Sequence, residues 1–136
     1  MKKISLMLVL CIILSFGTNI VASAEEYTVT PRYNNLIYAD CTFTIENDEA
    51  IATVIISGYA GIISNASVNV KLEKRALLGL IWNDVEEWNS SSSDASAFFE
   101  FRKAVGSGTY RCTFEITVEG SGGSADVITE EIKVKN

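Results

Sequence analysis

The sequence predicts an all-β domain, an antiparallel sandwich of about seven strands. Two observations predict it. After residue 25, apolar and polar residues alternate with a period of two in most segments, as on strands that are buried on one face. Short clusters of Gly, Ser, Asn and Asp separate these segments, as turns separate the strands of a sandwich.

Seven apolar or alternating segments are expected to be the strands. In chain order they include Cys41–Ile45, Ala50–Ser57, Val68–Leu72, Ile81–Trp88, Ala97–Phe101, Tyr110–Val118 and Ile132–Val134. The turns are expected at Asn47–Asp48, Gly58–Gly61, Ser90–Asp94, Gly106–Gly108 and Gly120–Ser124. A helix is the competing prediction for residues 85–88, and residues 90–93 are expected to form a polar loop or a bulged edge.

The first 24 residues are expected to be a cleavable secretory signal peptide. Two lysines precede an uncharged apolar run at residues 4–16, and a polar stretch then ends in Ala22-Ser23-Ala24, a small-residue cleavage pattern. The apolar run is shorter than the roughly 20 residues that a membrane-spanning helix needs. We therefore expect cleavage after Ala24 and a secreted, extracellular single domain of residues 25–136, with a retained membrane anchor as the alternative.

Removal of the signal makes the remaining 112-residue chain more acidic. Two lysines are lost, so nine basic residues oppose all 17 acidic ones and the net charge changes from −6 to −8. A chain of this size forms one domain and buries about two thirds of its unfolded surface. Its negative charge argues against nucleic acid and against an anionic membrane surface. We therefore expect no nucleic-acid partner, and no membrane partner after cleavage.

The chain contains no histidine, which removes the Ser-His-Asp and Cys-His catalytic arrangements and the commonest metal ligand. No cofactor or metal site is expected. An enzyme of this composition would use carboxylates, and the densest acidic group is Asp84, Glu86 and Glu87. On a regular strand, residues 84 and 86 share one face about 7 Å apart, a separation that glycosidase carboxylates use. A carboxylate-dependent hydrolase is therefore one alternative function, although no catalytic residue is assigned.

The same acidic segment is flanked by two tryptophans, which favours binding. Indole faces stack on sugar rings, so the candidate ligand-binding residues are Trp82, Asp84, Glu86 and Trp88. The competing interpretation is a solvated hairpin whose tryptophans pack on the sheet. Because sandwiches carry function on surface loops, we expect a non-catalytic binding module for a cell-wall glycan, a host glycan or a protein. A secreted bacteriocin-like factor is a further alternative.

Two cysteines remain in the domain, Cys41 and Cys112, because Cys11 lies within the apolar run of the signal. In an exported protein, two cysteines on inward strand faces favour a disulfide. The alternative is a pair of buried free thiols that pack as small apolar side chains, since strands can hold the two Cα atoms too far apart.

Tyr110 lies two residues before Cys112 and directly follows the glycine turn at 106–108. This is the arrangement of the tyrosine corner of immunoglobulin-type sandwiches, in which the hydroxyl bonds back to the turn. We therefore expect an immunoglobulin-like or fibronectin-III-like topology. Trp82 lies too far along the chain from Cys41 to be the central tryptophan of a true immunoglobulin domain.

Five short motifs support a resemblance that covers nearly all of the chain after the signal. They are Pro31-Arg32-Tyr33, Gly58-Tyr59, Leu72-Glu73-Lys74-Arg75, Trp82-Asn83-Asp84-Val85-Glu86-Glu87-Trp88 and Gly108-Thr109-Tyr110-Arg111. In this order they resemble a family of small secreted proteins of Gram-positive anaerobes. The resemblance implies an immunoglobulin-like β-sandwich. The function of that family is not established, so the resemblance supplies no catalytic residues.

Overall fold

The computed structural model describes residues 32–136. Its strands are β1 (Leu36–Glu46), β2 (Glu49–Gly58), β3 (Ile63–Ala76), β4 (Ile81–Ser92), β5 (Ser96–Ala104), β6 (Thr109–Gly120) and β7 (Asp126–Lys135). A short 3-10 turn, Leu77–Gly79, joins β3 to β4. Among the described residues, no helix is long and apolar enough to cross a membrane. The predicted signal peptide and its cleavage site lie outside these residues.

The strands form two antiparallel sheets, one in the order β1-β2-β5 and the other in the order β4-β3-β6-β7. The prediction of an all-β sandwich of seven strands is therefore confirmed. The predicted turn between the first two strands is also present. Asn47 and Asp48, with φ angles of 51° and 59°, connect the paired residues Glu46 and Glu49 as a two-residue hairpin loop.

The core lies between the two sheets and is built from alternate positions of each strand. The buried apolar residues are Ala50, Ala52, Val54 and Ile56 on β2, Ala66, Val68, Val70 and Leu72 on β3, and Tyr110, Cys112, Phe114, Ile116 and Val118 on β6. With Leu36, Cys41 and Phe43 of β1 they form one continuous cluster. Burial of this apolar surface is the main force that stabilises the sandwich. This cluster is the apolar core of residues 32–136, the described part of the chain.

Strand β4 departs from the prediction in two ways. Residues 85–88 are strand, so the competing helix prediction is wrong. Residues 90–92, expected as a polar loop or a bulged edge, belong to the strand and pair without a bulge, because pairing with β3 continues as far as Ala66 opposite Ser92. The turn to β5 is therefore confined to residues 93–95.

Asp126 is a buried acid that holds the start of β1 against the start of β7. Its carboxylate accepts hydrogen bonds from the backbone N–H groups of Asn34, Asn35 and Leu36 at 2.8, 2.7 and 3.1 Å. Three such donors compensate the desolvation of the carboxylate. The first strand is thereby fixed to the sheet that contains β7.

Asn35, which is fully buried, completes this polar hub from the other side. Its side-chain nitrogen donates to the carbonyl oxygens of Val118 and Ser124 at 3.3 and 3.1 Å. Its side-chain oxygen accepts from the N–H of Gly122 at 3.0 Å. The asparagine therefore ties the entry to β1 to the turn between β6 and β7.

At the opposite end of the sandwich, the Tyr110 hydroxyl donates to the carbonyl oxygen of Gly106 at 2.8 Å. The tyrosine is only 2% exposed. The bond back to the glycine turn that the sequence led us to expect of Tyr110 is therefore present.

Candidate functional site

The four candidate binding residues lie on one strand but not on one face. Between the pairs Leu72–Glu86 and Glu73–Asp84, strand β4 carries one extra residue, Val85. Such a β-bulge interrupts the regular alternation of inward and outward side chains. Asp84 is therefore on the outer face with Glu73, whereas Glu86 is on the inner side with the core residue Leu72. The expectation that residues 84 and 86 share one face is wrong for this reason.

Glu86 and Trp88 close the edge of the sandwich between β4 and β5. The Trp88 ring stacks on Phe101, with centroids 5.6 Å apart and planes inclined by 18°. Glu86 Oε2 accepts a hydrogen bond from Lys103 Nζ at 2.7 Å. That hydrogen bond and the charge of the ammonium group lower the pKa of Glu86. Both residues therefore have partners across the sandwich, as the packing interpretation requires.

Trp82 and Asp84 lie on the outer face of the four-stranded sheet. The Asp84 side chain is 71% exposed and forms an ion pair of 2.8 Å with Lys71, whose pKa is raised chiefly by this hydrogen bond. The guanidinium of Arg111 lies 4.5 Å from the centroid of the Trp82 ring and donates to Glu73 at 2.7 Å. A cation therefore already stacks on the indole at which sugar binding is predicted.

These positions do not form an acid–base pair. A glycosidase needs two carboxyl groups that flank one cleft, and its acid needs a raised pKa. Asp84 and Glu86 lie on opposite sides of the sheet, and the pKa of Glu86 is lowered. Among residues 32–136, no three Cys, Asp or Glu side chains form a group suited to a metal ion. Asp84 and Glu86 therefore do not meet the geometric requirement of a glycosidase.

A polar groove of about 580 Å³ lies on the outer face of the four-stranded sheet, over β3, β4 and β6. Its lining is contributed by Ser67, Val68, Asn69, Glu87, Asn89, Ser90, Ser91, Glu115 and Thr117. All of these side chains except that of valine carry hydrogen-bonding groups. The groove thus offers a dense array of amide, hydroxyl and carboxylate groups on a rigid sheet.

Asn69 organises the middle of this groove. It lies in register with Asn89 on β4 and with Glu115 on β6. Its amide nitrogen donates to Glu87 Oε1 at 2.8 Å and to Asn89 Oδ1 at 2.7 Å. The amide nitrogen of Asn89 and the amide oxygen of Asn69 have no hydrogen-bond partner among residues 32–136. These two groups, one donor and one acceptor, remain available to a ligand.

The acids and tryptophans of β4 are prominent in the sequence, whereas this groove is not. Its only signal in the sequence is the polar half of the strand alternation, with Asn69 placed between the buried residues Val68 and Val70. Cross-strand register brings Asn89 beside it, and a single sequence does not reveal register.

Cys41 and Cys112 are buried free thiols in the described structure. Burial raises the pKa of each thiol to about 12. The negative charge of Glu130 adds to the shift at Cys41, and Cys41 itself adds to the shift at Cys112. Both thiols therefore remain protonated at neutral pH, where they pack as apolar side chains.

No family model matches the chain, and no curated protein matches it either. Among solved structures, wild-type OgpA from Akkermansia muciniphila is similar over 79% of this chain and 30% of its own, with 10% identity and a TM-score of 0.45. A protein from Arabidopsis thaliana, determined in solution, is similar over 83% of this chain and 87% of its own, with 12% identity and a TM-score of 0.41. A β-glucosidase from Listeria innocua, in complex with gluconolactone, matches 73% of this chain and 16% of its own, with 12% identity and a TM-score of 0.35.

Proposed function

We propose that this protein is a non-catalytic binding module that holds a glycan in the polar groove over β3, β4 and β6. The observation that carries the proposal is the lining of that groove, in which every side chain except that of Val68 can donate or accept hydrogen bonds. Sugar hydroxyls both donate and accept hydrogen bonds. Amide side chains such as those of Asn69 and Asn89 also offer both functions, so the two sets of groups are complementary.

The scaffold suits this role because the groove lies on strands rather than on a mobile loop. Val68 and Val70 are buried beside it and anchor the strand that carries Asn69. The hydrogen bonds from Asn69 to Glu87 and Asn89 orient the polar groups before a ligand arrives. Preorganisation of this kind reduces the entropy that is lost on binding.

We also propose an immunoglobulin-like topology for the sandwich. In constant-type immunoglobulin domains, the first, second, fourth and fifth strands form one sheet, and the third, sixth and seventh form the other. In this protein, six of the seven strands divide between the sheets in the same way, and only β4 differs, because it pairs with β3. The bond from Tyr110 to Gly106 is the second observation that supports this topology.

The N-terminal sequence supports export of the module and its membership of the secreted Gram-positive family that it resembles. In the oxidising environment outside the cell, we propose that Cys41 and Cys112 join as a disulfide, since both lie in the same core cluster. The protein recovered from the medium should begin at Glu25. Its mass should rise by about 2 Da, two hydrogen atoms, on reduction. An unchanged mass on reduction would show that the cysteines stay free, as they are in the described structure.

The binding proposal is tested with a glycan array that includes cell-wall polymers, followed by calorimetric titration of the best binder. The protein used consists of residues 25–136, the chain that remains after the predicted cleavage. Asn89→Ala should weaken binding about tenfold, because it removes the amide donor that faces the ligand and the acceptor that orients Asn69. Asn83→Ala is the matched control, since Asn83 is an exposed asparagine on the same strand outside the groove. The proposal fails if no glycan binds, or if the two variants bind equally.

A further inference from the structure

The hairpin tip between β3 and β4, residues 77–80, is made of leucine and glycine. The N–H of Leu80 donates to the carbonyl oxygen of Leu77 at 3.1 Å, which closes a two-residue turn. Its central residues, Leu78 and Gly79, have φ angles of 56° and 87°, the left-handed values of a type I′ turn. Such turns strongly favour Asn-Gly, because leucine is disfavoured in the left-handed region. The sequence therefore places leucine where the turn itself favours asparagine.

The leucines of the tip are not buried against the folded domain, so burial does not compensate for the unfavourable backbone conformation. Leu77 is 67% exposed, Leu80 is 82% exposed, and Leu78 is as exposed as it would be in an extended peptide. Leu77 also has a positive φ, of 47°. Backbone strain combined with full exposure of apolar side chains is unfavourable in an isolated protein, and such outliers cluster at functional sites.

The tip is a preformed structure. Arg75 Nε donates to the carbonyl oxygen of Gly79 at 3.2 Å, which braces the turn against the end of β3. The arginine side chain fills the space beside this glycine so closely that a Cβ atom there would lie 2.6 Å from Arg75 Nε. The leucines are therefore presented in one arrangement at the end of a two-stranded projection.

Positive charge surrounds the base of the tip. Lys74 and Arg75 precede it, and Lys135 pairs with Thr109, which lies beside the tip. None of these three cations has an acidic partner among the described residues. The acids nearest in register already have partners, since Glu73 binds Arg111 and Asp84 binds Lys71. The local charge is thus opposite in sign to the net charge of the chain. The expectation of no membrane partner is based on the net charge, so it does not apply to this surface.

We propose that this tip inserts into the interface of a bilayer that contains anionic lipids. A bilayer accepts a convex apolar projection of any shape, and anionic headgroups attract the lysine and arginine side chains at its base. Trp82 lies two residues beyond Leu80, about 7 Å along the strand, at the depth where tryptophan favours the interface. Charges within a Debye length of about 8 Å determine such a contact, so the acidic residues of distant surfaces oppose it only weakly.

A second copy of the chain is a less favourable occupant. Tip-to-tip pairing would bring Lys74 and Arg75 of one molecule close to the same residues of the other, and juxtaposed like charges oppose association. The groove of the proposed glycan site lies elsewhere, around Asn69 and Asn89, so the two proposals are tested independently.

The test is co-sedimentation of residues 25–136 with vesicles of equal parts phosphatidylglycerol and phosphatidylcholine. Leu78→Asn should reduce the partition coefficient about tenfold, because it removes one inserted leucine. This variant should fold at least as well as the native chain, since asparagine favours the turn, and thermal unfolding verifies that. Phe98→Asn, on the exposed face of β5 in the other sheet, is the matched control and should leave partitioning unchanged.

The contribution of charge to vesicle binding is tested separately. Lys74→Gln should weaken binding about fivefold, and pure phosphatidylcholine vesicles should bind less protein than mixed ones. Asn89→Ala should bind vesicles like the native chain, whatever it does to glycan binding. The proposal is overturned if native protein does not sediment with mixed vesicles, or if Leu78→Asn binds them equally well. Equal binding to both vesicle types overturns the role of the cations. If the native protein does not bind vesicles but forms a dimer that Leu78→Asn dissociates, the tip is a self-association site.

Discussion

Replacement of Asn35 by alanine removes the polar hub that joins the start of β1 to the turn between β6 and β7. The substitution deletes three hydrogen bonds, those to the carbonyl oxygens of Val118 and Ser124 and that from the N–H of Gly122. Ser124 keeps the side chain of Asn34 as a donor, and the exposed Gly122 gains water. The bond to Val118, a fully buried residue, has no such replacement.

The magnitude follows from these three losses. A buried acceptor left without a donor costs about 1–3 kcal/mol, and each bond that water replaces costs about 0.5–1.5 kcal/mol. We therefore expect Asn35→Ala to lower the free energy of unfolding by about 3 kcal/mol. For a domain of this size, that corresponds to a fall in Tm of about 12 °C.

Urea denaturation followed by tryptophan fluorescence measures the effect. With an m-value of about 1.5 kcal/mol/M, the midpoint should fall by about 2 M. Asn83→Ala, which truncates an exposed asparagine on β4, should change stability by less than about 0.5 kcal/mol. A loss of less than about 1 kcal/mol in Asn35→Ala would refute the structural role of the hub.

Two further predictions concern the core. Tyr110→Phe removes the hydroxyl bond to Gly106 and should lower the free energy of unfolding, measured by thermal unfolding, by about 1 kcal/mol. Tyr38→Phe, at an exposed tyrosine, is the control and should leave it almost unchanged. Equal effects would refute the tyrosine-corner assignment. In the reduced protein, the thiol pKa of both Cys41 and Cys112 is raised by folding from 9.0 to about 12, so the native state retains protons that the unfolded state releases. The stability present below pH 9 should therefore be lost progressively as the pH rises from 9 towards 12. Urea titrations over this range should show a smaller loss of stability in the double variant with alanine at both positions. Identical pH profiles for the two proteins would contradict the prediction.

The strands were predictable because burial imposes a period of two on the sequence. On β6, every second residue from Tyr110 to Val118 is buried, and the alternation is visible without any structure. The serines at the end of β4 are expected from the sequence as a loop or a bulged edge, because no apolar residue alternates with them. They are strand because β3 is long enough to pair with them, and pairing is a tertiary property.

The candidate site was less predictable, since it depends on one irregularity and on register. The bulge at Val85 separates Asp84 from Glu86, although nothing in the local composition indicates an extra residue there. Likewise, Asn69 and Asn89 are 20 positions apart and meet only through the pairing of β3 with β4. The spacing of residues along one strand therefore gave the wrong prediction for Asp84 and Glu86, whereas the groove is defined by residues that are neighbours across strands.

The buried hub and the hairpin tip were missed for opposite reasons. Asn35 is polar and reads as a surface residue, yet it is fully buried because three backbone groups need its amide. Leucine is usually a core residue, yet the leucines at 77, 78 and 80 lie on a turn and are exposed to solvent. Residue type predicts burial only where apolar residues recur at every second position along a strand.

The measurement that tests the central claim most directly is an amide NMR titration of residues 25–136 with the best binder from the glycan array. We predict that the largest shifts fall on the side-chain amides of Asn69 and Asn89 and on the backbone N–H groups of Glu87 and Thr117, which line the groove. Shifts concentrated on the three-stranded sheet, or on Trp82 and Trp88 without change at Asn89, would contradict the assignment of the groove as the binding site.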